Sequence, residues 1–284
     1  MSNHYDTLIA AEDCLQRCMA PDWRVIDCRF DLQERAWGPD AYRESHIPGA
    51  YYAHLEQDLS RAPTADSGRH PLPDWQGFAE RLCRWGVYPG DQVVVYDQGS
   101  GAFAARLWWL LRAVGHRRVA VLDGGWAAWQ AAGGAESDRQ PAYHTRQVAL
   151  SPGSGWVTTE QVTGNLQTDE FLLVDARSSE RFSGRNEAID PVAGHIPGAV
   201  NFPYEQNLAA SGVFLTAGRL REQWSACLGD VRSGDVVHMC GSGVTACHNL
   251  LAMEVAGLAG SRLYVGSWSE WLRDAGHPVA TGEG

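Results

Sequence analysis

The stretch His46-Ile47-Pro48-Gly49-Ala50 occurs a second time, 149 residues later, as His195-Ile196-Pro197-Gly198-Ala199. Val25-Ile26-Asp27-Cys28-Arg29 is matched in the same way by Leu173-Val174-Asp175-Ala176-Arg177, 148 residues further on. A repeat of this length is too long for one unit of a solenoid and has the size of a whole domain. The duplication therefore predicts two similar domains in tandem.

Short runs of β-branched residues alternate with helical patterns in both halves of the chain. This alternation is typical of βα units around a mostly parallel sheet, so the predicted fold class is α/β with helices flanking each sheet. The predicted strands are Arg24–Asp27, Val93–Tyr96, Val119–Leu122, Phe171–Asp175, Val236–Met239 and Arg262–Val265. Helices are predicted near Phe78–Trp85, Ala104–Val114, Trp126–Ala131, Thr159–Leu166, Arg219–Leu228, Thr245–Ala256 and Ser269–Ala275.

Turn-forming residues separate the two halves. Gly133-Gly134, Pro141 and Ser151-Pro152-Gly153-Ser154-Gly155 all lie between the last helical pattern of the first half and the first of the second. Such a composition is typical of a linker. We therefore predict a first domain at residues 1–134, a linker at 135–157 and a second domain at 158–284.

A short Gly-rich loop, Cys240-Gly241-Ser242-Gly243-Val244-Thr245-Ala246, follows an apolar strand pattern and runs into a helical pattern. Inward-turned N–H groups of such a loop, together with the N-terminus of the next helix, favour an anion. The thiolate, which is the nucleophilic form of cysteine, is stabilised in this setting. Cys240 is therefore predicted to be a reactive nucleophile. A buried structural thiol is the alternative, and the bare Gly-Ser-Gly sequence beside the sulfur disfavours it.

The chain contains seven cysteines, and the six besides Cys240 include no Cys-x-x-Cys pair. Neither a zinc site nor a dithiol redox motif is indicated, and we expect no metal and no cofactor. Gly90-Asp91-Gln92-Val93-Val94 aligns with Gly234-Asp235-Val236-Val237, which places Asp97 where the second half has Cys240. The six remaining cysteines are expected to pack or to lie at the surface: Cys14, Cys18, Cys28, Cys83, Cys227 and Cys247.

Charge and composition narrow the classes of partner. The formal net charge of -11 offers no basic surface for nucleic acid or anionic membrane, so neither is expected as a partner. No apolar stretch approaches the roughly 20 residues of a membrane span, and the N-terminus lacks the pattern of a signal peptide. An odd number of cysteines suits a reducing compartment, so a cytoplasmic location is expected. Any anionic substrate must be attracted by local positive charge.

Taken together, these motifs resemble those of the tandem-domain sulfurtransferases of the rhodanese family. The resemblance rests on the two duplicated motifs, on Asp123-Gly124-Gly125-Trp126, on the Cys240 loop and on Gly266-Ser267-Trp268-Ser269-Glu270-Trp271. It implies two rhodanese-like domains, of which only the second, with Cys240, is catalytic. The uncharged loop is similar to that of members that use 3-mercaptopyruvate, whereas members that use thiosulfate carry basic residues after the cysteine.

The resemblance also implies roles for individual residues. Cys240 would take a sulfur atom from a small-molecule donor as a persulfide, with release of pyruvate if the donor is 3-mercaptopyruvate. Arg181 occupies the position of a substrate-binding arginine, and a guanidinium suits a carboxylate. Ser242 either passes a proton to the departing group or bonds to nearby backbone, and both readings remain open. The loop residues expected around the substrate are Gly241, Gly243, Val244 and Thr245.

Two histidines open the duplicated His-Ile-Pro-Gly motifs. Because the motif is repeated, His46 and His195 are expected to have a shared structural role. The resemblance nevertheless suggests that His46 contributes to substrate binding and to proton handling. For the second half of the reaction it implies a thiol acceptor such as thioredoxin or a dithiol, with cyanide as another acceptor.

Alternative functions differ in one or two residues of the site. A phosphatase built on a similar loop needs an arginine six residues after the cysteine, where this chain has Ala246. Thiosulfate remains possible as the donor, because residues 188–194 lack the second arginine that some members of the family carry there. A non-catalytic carrier or sensor that holds a persulfide on Cys240 is the third reading.

Overall fold

The structure, a computed structural model, describes residues 4–282, and each half of the chain forms its own parallel sheet. The first sheet has the strand order β1-β5-β4-β2-β3, in which every paired strand is parallel. Its elements, in chain order, are β1 (Leu8–Ile9), α1 (Ala11–Arg17), β2 (Trp23–Asp27), α2 (Trp37–Glu44), β3 (Tyr51–Tyr52), α3 (Trp75–Arg84), β4 (Gln92–Tyr96), α4 (Ala104–Ala113), β5 (Val119–Leu122) and α5 (Gly125–Ala131).

The second half repeats this arrangement. Its sheet has the order β6-β10-β9-β7-β8, which is the first order with each strand replaced by its counterpart. Short 3-10 helices lie at Tyr204–Asn207 and Ser233–Asp235. The other elements are β6 (Trp156–Val157), α6 (Thr159–Thr168), β7 (Leu172–Asp175), α7 (Ser179–Phe182), β8 (Val200–Asn201), α8 (Ala217–Leu228), β9 (Val236–Met239), α9 (Ala246–Val255), β10 (Arg262–Tyr264) and α10 (Ser267–Trp271).

The α/β fold class predicted from the sequence is confirmed, and the central strands follow the expected pattern. All residues of β4 and β9 are buried, because helices cover both faces of a parallel sheet. The sequence did not indicate the two-residue strands β1, β3, β6 and β8, which are too short to show a period. The last helix was predicted at Ser269–Ala275 but spans Ser267–Trp271, since a turn follows in which the Asp274 carboxylate accepts the Gly276 N–H at 2.8 Å.

Two compact units are defined by the contacts within the chain. The first comprises residues 4–61, 72–153 and 210–213, and the second comprises residues 62–71, 154–209 and 214–282. The second unit thus includes Ala62–Pro71, a segment encoded within the first repeat. No sequence pattern indicates this assignment, and the domain limits at residues 134 and 158 stay a prediction. No helix between residues 4 and 282 has both the length and the apolar character that crossing a membrane requires.

The duplicated Asp-x-Arg motif closes the end of a central strand in each unit. The carboxylates of Asp27 and Asp175 accept the backbone N–H groups of Arg29 and Arg177 at 2.9 and 3.0 Å. Each carboxylate also pairs with the guanidinium of the same arginine, at 2.7 Å in the first unit and 2.6 Å in the second. Buried charges of this kind are tolerated because each one is both paired and hydrogen-bonded.

Candidate active site

Strand β9 places Cys240 at the carboxyl end of the second sheet, where its side chain is buried and only 2% of the residue is exposed. The backbone N–H of Gly243 donates to the Cys240 sulfur at 3.1 Å. Gly243 has a φ of +74°, and a Cβ there would lie 2.5 Å from the carbonyl oxygen of Val265. Only glycine fits this position, and its freedom allows the N–H group to turn toward the sulfur.

Residues Ser267–Ser269, at the start of α10, form hydrogen bonds with the backbone of the Cys240 loop. The N–H groups of Trp268 and Ser269 donate to the carbonyl oxygens of Cys240 and Gly241 at 3.0 and 2.9 Å. The Ser267 hydroxyl accepts the Cys240 N–H at 3.1 Å and donates to the carbonyl oxygen of Tyr264 at 2.8 Å. Ser267 has a φ of +51°, which is uncommon for a residue other than glycine. These contacts fix the backbone on both sides of the thiol.

Helix α9 begins directly after the loop. Val244 is buried and Thr245, at the N-cap position, is half-buried without a side-chain capping bond. The N–H groups at the start of a helix carry partial positive charge, which favours an anion in the preceding loop. Val244 and Thr245 therefore join the cysteine loop to the positive end of α9.

Two arginine side chains lie against Gly241, next to the thiol. A Cβ on Gly241 would lie 2.9 Å from an Nη atom of Arg69 and 3.4 Å from an Nη atom of Arg181. The absence of a side chain at position 241 thus lets both guanidinium groups approach the loop backbone. Arg181 was expected at the site, and Arg69 was not. Together they supply guanidinium N–H donors of the kind that bind an anion.

Two buried carboxylates hold these arginines. Arg181 donates from Nε to both oxygens of Glu187 at 3.0 and 2.9 Å and from Nη2 to Asp190 at 2.8 Å. Asp190 also pairs with Arg69, through a short contact to Nη1 and a longer one of 3.4 Å to Nη2. The side chains of the two carboxylates are almost fully buried, with 2% of Glu187 and 1% of Asp190 exposed. The arginine side chains are more accessible, with 19% of Arg181 and 31% of Arg69 exposed. The cations therefore face outward over the anions.

Glu187 also lies beside the duplicated Asp-x-Arg motif of the second unit, 3.6 Å from Nη1 of Arg177. Burial raises the pKa of Glu187, but hydrogen bonds from Arg181 and from the N–H groups of Ile189 and Asp190 outweigh it, so the pKa lies below its usual range. The Arg177 guanidinium stacks 4.7 Å from the ring of Trp268, in the loop that holds Cys240. A continuous set of contacts thus joins the arginine pair to the thiol loop.

Ser242 forms a hydrogen bond with a histidine that the sequence analysis did not single out. The Ser242 hydroxyl lies 2.7 Å from Nδ1 of His70, and both residues are buried, at 7% and 3% exposure. Imidazole can accept or donate a proton near neutral pH, so the pair is suited to proton transfer. The hydroxyl is therefore bonded to a side chain rather than to nearby backbone.

Arg69 and His70 both come from the segment Ala62–Pro71. The segment is fixed by the N–H of Gly68 donating to Glu270 at 3.1 Å, by the N–H of Arg69 donating to Ser269 at 3.1 Å and by Arg273 donating to the carbonyl oxygen of Ser67 at 3.0 Å. Two adjacent basic residues in Ser67-Gly68-Arg69-His70 were the available signal, in a stretch outside the duplicated motifs. Sequence position alone does not show which sheet such a loop joins.

His46 lies in the first unit, where its contacts are to the backbone. Its Nδ1 is 2.7 Å from the carbonyl oxygen of Tyr42 and its Nε2 is 3.1 Å from that of Arg139. The ring stacks on Tyr42 with centroids 4.1 Å apart. His195 similarly directs Nδ1 to the carbonyl oxygen of Phe182 at 2.8 Å. The two histidines thus have matching structural contacts, and a substrate-binding role for His46 stays a prediction.

No cluster of three or more histidine, cysteine, aspartate or glutamate side chains suited to a metal ion occurs in residues 4–282. All seven cysteines are free thiols. The Cys240 thiol, the hydroxyl–imidazole pair and the two guanidinium groups are groups near the Cys240 loop that are suited to chemistry. The arrangement can bind a small anion and direct a nucleophilic sulfur at it.

Two repeated α/β units, with a Gly-rich loop that begins with cysteine in the second, define the class of tandem rhodanese-like proteins. The family described as Rhodanese-like domain matches residues 10–132 and 158–274. The chain therefore belongs to the rhodanese family, and it is a sulfurtransferase. The match covers both halves, as the internal duplication predicted.

Individual relatives span almost the whole chain. It is 46% identical over 280 residues to a probable 3-mercaptopyruvate sulfurtransferase of Pseudomonas aeruginosa, covering 97% of this chain and 98% of the relative. It is 40% identical over 266 residues to a putative thiosulfate sulfurtransferase of Mycobacterium tuberculosis, covering 91% and 90%. The structure of 3-mercaptopyruvate sulfurtransferase from Leishmania major superposes with a TM-score of 0.84 at 28% identity, covering 95% of this chain and 75% of that one.

Proposed function

We propose that this sulfurtransferase uses 3-mercaptopyruvate as its donor and carries the sulfur as a persulfide on Cys240. The Cys240 thiolate attacks the sulfur of the donor, and an S–S bond forms as the C–S bond of the donor breaks. The electron pair of that bond stays with the three-carbon unit, which leaves as an enolate and takes a proton to become pyruvate. The outer sulfur of the persulfide then passes to a nucleophilic acceptor.

The observation that carries this proposal is the position of two guanidinium groups beside an uncharged loop. Arg69 and Arg181 both lie against Gly241, one residue from the nucleophile. Guanidinium groups bind carboxylates through paired hydrogen bonds, and 3-mercaptopyruvate has a carboxylate separated from its thiol by two carbons. A donor whose carboxylate is bound there presents its sulfur toward Cys240. Arg69 thus replaces the second arginine that residues 188–194 do not provide.

Proton transfer at the departing group is assigned to Ser242 and His70. The hydroxyl is one loop position beyond Gly241 and is bonded to the imidazole at 2.7 Å. Ser242 donates its proton to the enolate as the C–S bond breaks, and His70 replaces that proton. The Gly243 N–H, 3.1 Å from the Cys240 sulfur, stabilises negative charge on the thiolate and on the persulfide. His46 is given no step, because both of its ring nitrogens contact carbonyl oxygens.

For the second half of the reaction we propose a thiol acceptor, thioredoxin or a smaller dithiol, in the cytoplasm. A thiolate attacks the outer sulfur of the persulfide, and a second thiol of a dithiol can then release it by forming a disulfide. Seven free cysteines without a disulfide suit a reducing compartment in which such acceptors are abundant.

Thiosulfate is the second candidate donor. The name of the Mycobacterium tuberculosis relative favours it, and so does the presence of two cations, since thiosulfate is a dianion. The loop itself offers thiosulfate no charge, because Gly241 and Ser242 follow the cysteine.

The test is the mass of the intact reduced protein after brief incubation with 3-mercaptopyruvate or, separately, with thiosulfate. We expect faster gain of one sulfur atom from 3-mercaptopyruvate, with one pyruvate released for each sulfur bound. Cys240→Ser is the control and should gain none. Faster charging by thiosulfate would overturn the donor assignment. A stable persulfide that no added thiol removes would instead favour the carrier or sensor reading.

A further inference from the structure

The Asp190 carboxylate contacts both outward-facing arginines of the candidate site. Its carboxylate accepts from Arg181 at 2.8 Å and pairs with both terminal nitrogens of Arg69. The side chain is only 1% exposed, so the charge is held behind the two guanidinium groups. A buried carboxylate in this position affects every anion that the arginines bind.

The local charge differs from what the two arginines alone suggest. Arg69 and Arg181 bring two positive charges, and Asp190 and Glu187 bring two negative charges in direct contact with them. The charges of Arg177 and Asp175, which pair with each other, also cancel. The site therefore offers hydrogen-bond donors in a fixed orientation with little net positive charge.

We propose that Asp190 determines the class of donor by cancelling positive charge and by holding Arg69 and Arg181 in one orientation, so that a thiol-bearing monocarboxylate is favoured over a dianion. The inference rests on the proposed function of the arginine pair. It adds a specificity-determining residue that does not itself contact the donor. Asp190 acts through the two guanidinium groups.

The physical reason is the different dependence of the two donors on charge and on direction. Coulomb attraction to a net positive site is twice as large for thiosulfate as for a monoanion at the same distance. A carboxylate gains more from a planar guanidinium held in place, because two parallel N–H groups can donate to its two oxygens. Cancelling the charge while fixing the geometry thus penalises the dianion more.

The experiment compares kcat/KM for thiosulfate and for 3-mercaptopyruvate in the parent protein and in Asp190→Asn. The substitution leaves one positive charge uncancelled, so the ratio of thiosulfate to 3-mercaptopyruvate use should rise by about tenfold. Asp190→Glu restores the charge and should return the ratio to within about twofold of the parent, even if both activities fall. Glu222→Gln, which removes an exposed carboxylate paired with Arg219, is the matched control and should leave the ratio unchanged.

A second variant covers the case in which Asp190→Asn does not fold. Glu187→Gln also uncovers one charge on Arg181 and should move the ratio in the same direction. Equal changes in kcat/KM for both donors in the folded variants would overturn the inference, since a merely structural residue affects both alike.

The parent protein separately tests the proposed function. If the parent prefers thiosulfate, the proposed function fails whatever the variants do. If it prefers 3-mercaptopyruvate and the ratio stays fixed in the variants, only the present inference fails.

Discussion

The two units place different side chains at the same point of the fold, which is the residue after β4 in the first unit and after β9 in the second. In the first unit Asp97 follows β4 and is fully buried. One oxygen of Asp97 accepts the N–H groups of Gly99 and Gly101 at 3.0 and 2.9 Å, and the other accepts those of Phe103 and Ala104 at 2.9 and 3.3 Å. The loop is thus an anion-binding nest whose anion is part of the chain.

Cys240 occupies the corresponding position after β9, and there the Gly243 N–H donates to the sulfur at 3.1 Å. The flanking backbone is also the same. The N–H of Trp126 donates to the carbonyl oxygen of Asp97 at 2.8 Å, as that of Trp268 does to Cys240 at 3.0 Å. The comparison teaches that both units direct backbone N–H groups of this loop at its first residue, and that this residue is a carboxylate in one unit and a thiol in the other.

Cys240→Asp tests this comparison with the largest expected effect, because it gives the second loop the residue of the first. Sulfur transfer should fall by at least about a thousandfold, since a buried carboxylate cannot form a persulfide. Thermal unfolding should occur at the same or a higher temperature than in Cys240→Ser, because the nest gains an anion. Activity is measured as pyruvate release and stability by circular dichroism. A variant that does not fold would show that the second loop lacks the donors of the first.

Asp97→Ala tests the first loop and should act on stability. Four backbone N–H groups lose their acceptor, so the free energy of unfolding should fall by about 2–4 kcal/mol. Asp97→Asn keeps one of the two acceptor oxygens, so the free energy of unfolding should fall by less than in Asp97→Ala. Urea unfolding followed by tryptophan fluorescence measures both variants. A loss below 0.5 kcal/mol for Asp97→Ala, roughly the error of such measurements, would mean that the nest needs no anion.

Ser267 marks a smaller difference between the units, since the matching position is Gly125. Both have positive φ, +51° for Ser267 and +55° for Gly125, so the backbone is shared. Ser267→Gly should relieve strain but remove the hydroxyl that accepts the Cys240 N–H at 3.1 Å. We expect kcat to fall by about three- to tenfold with little change in stability. Ser267→Ala keeps the strain and should be both slower and less stable. Unchanged kcat in both variants would remove the hydroxyl from the support of the loop.

The smallest expected effect is a change in how the free energy of unfolding depends on pH at low pH. In the second unit Glu187 contacts Arg177 and Arg181, whereas Arg29 of the first unit donates to carbonyl oxygens of Ala41 and Ser45. The folded pKa of Glu187 lies below its ordinary value of 4.5, so its contribution to stability is complete above that pH and is lost as the pH falls through the folded pKa. Glu187→Gln should flatten the pH dependence of unfolding below pH 4.5. An identical pH dependence in parent and variant would contradict the contribution.

Sequence patterns predicted the fold because the duplication, the buried valine-rich strands and the Gly-rich loop are all local signals. Cys240 could be predicted as a candidate nucleophile because a strand, two glycines and a helix adjoin it in the chain. Arg181 was expected only through a resemblance, since an arginine on a short helix has no local signature. The periodicity of the sequence also missed α7, whose four residues are fewer than two turns.

Arg69 and His70 could not be predicted, because their role depends on tertiary packing. Nothing in Ser67-Gly68-Arg69-His70 indicates that its backbone will bond to Ser269 and Glu270, 200 and 202 residues away. The burial of Glu187 and Asp190 could not be predicted for the same reason. A carboxylate in a turn is usually exposed, and only the fold shows that Asp190 is buried against two cations.

The segment Ala62–Pro71 makes the two repeats of the chain interdependent. The first repeat contributes Arg69 and His70, which lie in the unit that holds Cys240. A chain shortened to residues 154–284 would retain Cys240 and lose both of these residues. The second repeat by itself therefore lacks ten residues of the second folded unit, and a cut at the repeat boundary would divide that unit.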